Sequence, residues 1–121
     1  MMSEEKEKKA QRITELTTAL QDAVQRVEAG TEITAKRMFG GAGYYADGLL
    51  FAMWYGEGLA LKLAEEDRET LMEIPGAATA QNPANIETPE SFLSQPQLLA
   101  PWVQRSLAYV RSKKSSLRSK E

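Results

Sequence analysis

Cysteine and histidine are both absent from this 121-residue sequence. Without cysteine the chain forms no disulfide bond and has no thiol nucleophile, and without either residue it lacks the ligands of the common structural zinc sites. The lack of histidine also excludes a Ser-His-Asp triad and removes the one side chain whose ordinary pKa lies near neutrality. General acid or base chemistry would therefore depend on carboxylates, lysine or tyrosine.

Long hydrophobic runs are missing as well. The longest, Leu49–Tyr55, is far shorter than the ~20 apolar residues that span a bilayer. The N-terminal stretch MMSEEKEKKAQR is charged throughout and has no apolar segment of the kind found in signal peptides. A composition of 42% hydrophobic and 26% charged residues is typical of a soluble globular chain. We therefore expect a single cytoplasmic domain with no membrane contact.

Charge is distributed unevenly, although the formal net charge is only −2. Residues 111–121 carry a balance of +4, so the other 110 residues sum to −6. We predict a folded domain over residues 1–110 and a basic, disordered tail over 111–121. The alternative interpretation is a nucleic-acid contact through phosphate groups, made by the tail residues Arg111, Lys113, Lys114 and Arg118.

Hydrophobic periodicity predicts an α+β fold. Apolar residues at spacings of three and four indicate a long helix from about residue 4 to 29, ended by Gly30. Strands are predicted within residues 32–39, 49–55 and 58–64, and short turns between them would form an antiparallel meander. A short acidic helix over 65–74, an irregular segment over 75–96 with a short edge strand near SFL, and a last helix with Pro101 in its first turn complete the prediction.

The glycine-rich stretch RMFGGAGYYADG raises the question of a phosphate-binding loop. Such a loop presents its backbone N–H groups at the start of a helix, whereas FGGAG is followed by YYADG, which does not begin one. We interpret the glycines as a strand crossing or bulge where no side chain fits, and Asp-Gly as a hairpin turn. The stretch therefore predicts chain turns and no cofactor site, with the structural residues Gly40, Gly41, Gly43, Asp47 and Gly48.

Lys62 interrupts an apolar strand, and two interpretations of it remain open. It is either a lysine on an exposed sheet face, with its stem along neighbouring side chains, or a cationic anchor in a shallow site with Arg37 and Tyr45. Met38 and Phe39 are expected to be divided between that surface and the core. The candidate interaction surface is Arg37, Met38, Tyr45 and Lys62, and no catalytic residue or metal ligand is assigned.

The central segment resembles the N-terminal domain of the TfoX/Sxy family, bacterial regulators of natural competence. The resemblance covers about residues 10–111, includes the closing LLAPWVQRSLAYV, and is carried by Arg37-Met38-Phe39-Gly40-Gly41, Gly43, Tyr45, Asp47-Gly48, Phe51-Ala52 and Leu61-Lys62. It implies a fold similar to the secretion-chaperone-like α+β architecture, with two strands before the last helix, which the weak pattern here would shorten. Full regulators of the family carry a second, C-terminal helical domain, which we do not expect in this chain.

The resemblance implies a non-enzymatic regulatory or protein-interaction module, and it brings no catalytic residue and no cofactor. The alternatives are a nucleic-acid-binding accessory protein acting through the basic tail, and a small ligand-binding domain or enzyme. We also expect a homodimer. The first helix would be about 39 Å long and a three-stranded sheet only about 10–15 Å wide, which leaves part of the apolar stripe uncovered. A shortened sheet edge would also leave backbone groups free to pair.

Overall fold

The computed structural model describes residues 2–119, with side chains described for residue 4 and residues 6–113. The α+β class is confirmed. In chain order the elements are helix α1 (Met2–Val27), strands β1 (Ile33–Met38), β2 (Gly41–Ala46), β3 (Leu49–Trp54) and β4 (Ala60–Lys62), helix α2 (Glu65–Met72), strands β5 (Ala78–Thr79) and β6 (Asn85–Glu87), a 3₁₀ helix (Glu90–Ser94) and helix α3 (Pro96–Ser119).

The described strands form one antiparallel sheet of six strands in the order β1-β2-β3-β4-β6-β5. Strands β1 to β4 follow one another as a meander, and β6 then lies between β4 and β5. The resemblance implied two strands here and the weak sequence pattern predicted that they would be short; β5 has two residues and β6 has three. The prediction of an edge strand near SFL is wrong, because Glu90–Ser94 forms a 3₁₀ helix instead.

The helices pack on one face of the sheet and enclose the core with it. Tyr44 of β2 is fully buried, and its hydroxyl donates a hydrogen bond to the carbonyl oxygen of Ile13 in α1 at 3.2 Å. The hydroxyl of Ser106 in α3 donates to the carbonyl oxygen of Phe51 in β3 at 2.8 Å. These bonds satisfy polar groups that burial would otherwise penalise, and they fix both long helices on the same side of the sheet.

Helix α1 buries its apolar stripe within the same chain. Leu16, Leu20 and Val24 have no solvent exposure, and they lie in one core cluster with Leu99, Val103 and Leu107 of α3. The sheet is also wider than the three strands expected. The described part of the stripe is therefore covered without a second chain, and an uncovered stripe is the wrong reason to expect a homodimer. The homodimer itself stays a prediction.

The glycine-rich stretch is mostly a strand. We expected a turn or crossing at all three glycines, but Gly41 and Gly43 lie within β2, which the sequence-based strand assignment missed. Gly40 does turn the chain, with a φ of +79°. A Cβ atom on Gly41 would lie only 1.8 Å from the carbonyl oxygen of Trp54, so the absent side chain lets β2 and β3 approach closely there.

Helix α3 begins earlier than expected and also extends further. Pro96 is its first residue, and Pro101, which we placed in the first turn, lies inside the helix, where it cannot donate to the carbonyl oxygen of Gln97. The helix continues to Ser119, through most of the segment expected to be a disordered tail. The side chains of Lys114 and Arg118 lie outside the described residues, and the boundary at residue 110 stays a prediction.

Candidate functional site: the uncovered face of the sheet

The sheet has a second face, which no helix of the described chain covers, here called the open face. Directly paired residues on antiparallel strands project to the same side of a sheet, so the register identifies its members. Met53 pairs with Ala60, and both are buried outside the core cluster that the helices share. The strand positions on this face that matter below are Lys36, Met38, Tyr45, Leu50, Lys62 and Glu87.

The β1–β2 turn presents an aromatic side chain to solvent at one end of this face. Phe39 is 89% exposed and has a φ of +49°, in the left-handed region that a bulky residue rarely adopts. Its ring meets the exposed ring of Tyr55 edge to face, with centroids 6.4 Å apart. The Tyr55 hydroxyl lies 3.8 Å from the sulfur of Met38. We call Met38, Phe39 and Tyr55 the tip cluster, and neither Met38 nor Phe39 belongs to the core.

Three of the four residues predicted for the interaction surface, Met38, Tyr45 and Lys62, share the open face. Arg37 does not, because it pairs with Ala42, which is buried under the helices. The cation beside Tyr45 is instead Lys36, whose Nζ lies 4.9 Å from the ring centroid.

Lys62 is separated from Tyr45 by strand β3. It lines a groove of about 460 Å³ between the sheet and α3, which also involves Leu50, Asn85 and Tyr109. The structure therefore does not assemble the shallow site of Arg37, Tyr45 and Lys62 that the sequence suggested.

A smaller pocket opens on the open face beside the tip cluster. It has a volume of about 120 Å³, and Met53, Ala60 and Tyr55 form its apolar part. Two carboxylates, Glu57 and Glu87, line the same pocket. Burial raises the pKa of Glu87, the nearby charge of Glu57 raises it further, and the backbone N–H of Gly58 has the opposite effect. Two acids therefore face one small pocket here.

Asn85 contributes a polar side chain to the same pocket. The residue is only 8% exposed, and it lines both the small pocket and the groove beside Lys62. Its side-chain amide makes no hydrogen bond to another residue within the described range, and its polar atoms reach the pocket space. No buried side-chain nitrogen or oxygen atom among the described residues lacks a hydrogen-bond partner, so the Asn85 amide is accessible and can contact a ligand.

Arg111 connects three parts of the fold. Its Nη1 lies 2.6 Å from Glu28 at the end of α1, and its Nη2 lies 2.8 Å from Asp47 in the β2–β3 turn. The hydrogen bond from Arg111 is the main reason that the pKa of Glu28 is lowered. Asp47 and Gly48 form that turn with φ values of +53° and +77°. Arg111, predicted to belong to a disordered tail, is thus held against the domain.

A family model of the TfoX N-terminal domain matches residues 25–110. The chain belongs to this family. The matched range contains the whole sheet, the tip cluster and the pocket with its two carboxylates. Among curated proteins none matches the chain, and the same holds for solved structures. The resemblance recognised from the central motif is confirmed.

In this TfoX N-terminal domain, the pocket residues are those that sequence reasoning missed. Glu57 lies in a glycine-flanked turn, and Asn85 and Glu87 come from the segment read as irregular, so no local pattern marked them. Over the residues with described positions, no group of three or more acids is arranged to hold a metal ion. No helix within residues 2–119 has both the length and the apolar character needed to cross a membrane.

Proposed function

We propose that this TfoX N-terminal domain is a non-enzymatic protein-interaction module of a regulatory kind, and that it binds its partner through the tip cluster and the adjoining open face. The observation that carries the proposal is the combination of high solvent exposure and unfavourable backbone conformation at Phe39. It is 89% exposed and its backbone lies in the left-handed region, a conformation that costs about 1–2 kcal/mol for a non-glycine residue. Backbone strain of this kind concentrates at functional sites.

The composition of the tip cluster suits protein contact. Aromatic residues and methionine are enriched at interfaces relative to the rest of protein surfaces, and aromatic anchors dominate binding energies measured by truncation. Met38, Phe39 and Tyr55 lie in mutual contact. Nucleic-acid binding through the tail is less favoured, because Arg111 is already paired with two acids of the domain.

A single substitution separates folding from binding at this site. Phe39→Asn removes the aromatic ring and creates Asn-Gly, the pair preferred where both turn residues have positive φ, so the domain should remain folded. Met72→Ser is the matched control, because Met72 is an exposed apolar residue on α2, away from the open face.

The experiment is affinity capture from the native cell, with bound proteins quantified for the wild type and both variants. We expect at least one specific partner to be retained by the wild type and Met72→Ser and lost with Phe39→Asn. Equal capture of every protein by all three chains would refute the role of the tip cluster.

We propose further that two copies of the chain associate, and that the exposed part of the open face around Phe39 and Tyr55 forms the contact. Sedimentation equilibrium of the wild type and Phe39→Asn tests it directly. A mass near 13.4 kDa for the wild type at all accessible concentrations would exclude the dimer. A dimer that dissociates in Phe39→Asn would identify the tip cluster as part of its interface.

A further inference from the structure

We infer that the small pocket beside Tyr55 receives one basic side chain, of arginine or lysine, from the partner protein. This inference rests on the proposed function and adds the chemistry that the partner must supply. Below, the pocket lined by Met53, Tyr55, Glu57, Ala60, Asn85 and Glu87 is called the acidic pocket.

Charge is the first reason. Glu57 and Glu87 face the same enclosed space, and neither forms an ion pair with a lysine or arginine among residues whose side chains are described. The two acids are held together by the backbone. A Cβ on Gly58 would lie 3.2 Å from the Cβ of Glu87, so the missing side chain lets Glu87 lie against the loop that carries Glu57. Two carboxylates kept close without a cation favour binding of one.

Size selects the class of ligand. The acidic pocket holds about 120 Å³, whereas pockets for whole small molecules usually measure about 300–1,000 Å³. One side chain of a larger partner suits this space better than a metabolite does. Met53 and Ala60 offer an apolar surface to a methylene stem, and the Tyr55 ring offers its face or edge to a cationic head group.

Asn85 is the independent observation that points to a ligand. The residue is 8% exposed, its side chain makes no hydrogen bond to another residue in the described part of the chain, and it lines the acidic pocket. An amide oxygen there accepts from an ammonium or guanidinium group, next to the carboxylates that balance the charge. The bound cation would therefore satisfy both the charge of the acids and the unused acceptor of the amide.

Position connects the acidic pocket with the tip cluster. Tyr55 belongs to both, since its ring contacts Phe39 and also lines the pocket. A partner segment that covers Phe39 therefore lies beside the mouth of the pocket, and the two sites together would recognise an apolar residue close to a basic one.

The test uses small probes before any partner is known. The isotope-labelled full chain is titrated with N-acetyl-arginine N-methylamide and the lysine analogue, while backbone amide shifts are followed by NMR. The citrulline and norleucine analogues are the neutral controls. We expect saturable shifts at Gly58, Ala60 and Asn85 with the two cations only. In Glu87→Gln the dissociation constant should rise about tenfold, the effect of one charge-assisted hydrogen bond, whereas Glu73→Gln, on an exposed glutamate elsewhere, should leave it unchanged.

Equal responses to citrulline or norleucine, or unchanged affinity in Glu87→Gln, would overturn the inference. The source of the cation is decided by two further measurements. Loss of a captured partner with Glu87→Gln supports a partner side chain, whereas spermidine binding at least tenfold tighter than the arginine probe, with capture unaffected, assigns the pocket to a free amine and overturns the inference. Phe39 does not line the acidic pocket, so the capture result for Phe39→Asn tests the proposed function separately.

Discussion

Gly41→Ala should be among the most destabilising small substitutions in the sheet, and the reason is geometric. A Cβ on Gly41 would lie 1.8 Å from the carbonyl oxygen of Trp54, 2.8 Å from its carbonyl carbon and 2.9 Å from the Cα of Tyr55. All three atoms belong to the backbone, so no side-chain rotation relieves the contact. The Trp54 indole N–H also donates to the carbonyl oxygen of Glu57 at 2.8 Å, which restrains that end of β3.

The size of the destabilisation depends on which atoms must move to admit the new Cβ. Overpacking of a well-ordered site costs about 1–3 kcal/mol when side chains can adjust. At Gly41 strands β2 and β3 must separate locally, so we expect the upper end, about 3 kcal/mol. For a domain of this length that corresponds to a fall in melting temperature of about 10 °C.

Gly43→Ala is the matched control, because Gly43 lies two residues further along the same strand and on the same face. A Cβ there would meet the Cε of Met38 at 2.9 Å and the Cδ1 of Leu50 at 3.0 Å. Both atoms are the far ends of flexible side chains, which can rotate away. We expect a change below about 1 kcal/mol for this variant.

The assay is urea unfolding at equilibrium, followed by the fluorescence of Trp54 and Trp102 and by circular dichroism. Two-state fits give the free energy of unfolding for the wild type, Gly41→Ala and Gly43→Ala. If Gly41→Ala were no more destabilising than Gly43→Ala, the close approach of β2 to the Trp54 carbonyl would not exist in solution. The assignment of Gly41 to a tight strand contact would then be wrong.

Four further outcomes are expected. Phe39→Asn should raise the free energy of unfolding by up to about 1 kcal/mol, because asparagine tolerates the left-handed region better; lower stability in urea would contradict this. Arg111→Ala should lower the free energy of unfolding by about 1 kcal/mol through loss of contacts to Glu28 and Asp47. The pKa of Glu28 is lowered from 4.5 on folding. The contribution of Glu28 to the stability of the fold is therefore complete above pH 4.5 and is lost as pH falls through the folded-state pKa. In Glu28→Gln the free energy of unfolding, measured by urea titration, should depend less on pH in this acid range. Cation binding to the acidic pocket should weaken as pH falls through the raised pKa of Glu87, and NMR titration at several pH values measures this.

The helices and the meander were predictable because their signals are local. The spacing of Leu16, Leu20 and Val24 is helical, and all three lie in the core. Strand β2 was missed because GAGYYA has few of the residues that favour strands. Gly41 is required by the backbone of Trp54, which approaches it from another part of the chain. Strands β5 and β6 have two and three residues, too few to show an alternating pattern, and they depend on pairing with β4.

The sequence predicts which residues of the candidate site share a face only where those residues lie on the same strand. Met38 and Lys62 lie on the same face of the sheet, whereas Arg37 has the opposite side-chain parity from Met38 and does not share that face. The acidic pocket depends on β4 pairing with β6, which brings Glu87 beside the loop of Glu57. Such a constellation leaves no signal in either segment alone.

The β1–β2 and β2–β3 turns show why Phe39 calls for an explanation beyond folding. Both turns have two central residues with positive φ, at Phe39-Gly40 and at Asp47-Gly48. The second uses Asp-Gly, a pair that this geometry favours, whereas the first places a large aromatic ring where the backbone resists it. Packing does not compensate, because Phe39 keeps 89% of its surface exposed beside Tyr55. Neither turn chemistry nor burial explains an aromatic ring at position 39, so we infer that its stabilising contacts are made with another molecule. Phe39→Asn tests this inference, because the turn should stay folded while binding of the partner is lost.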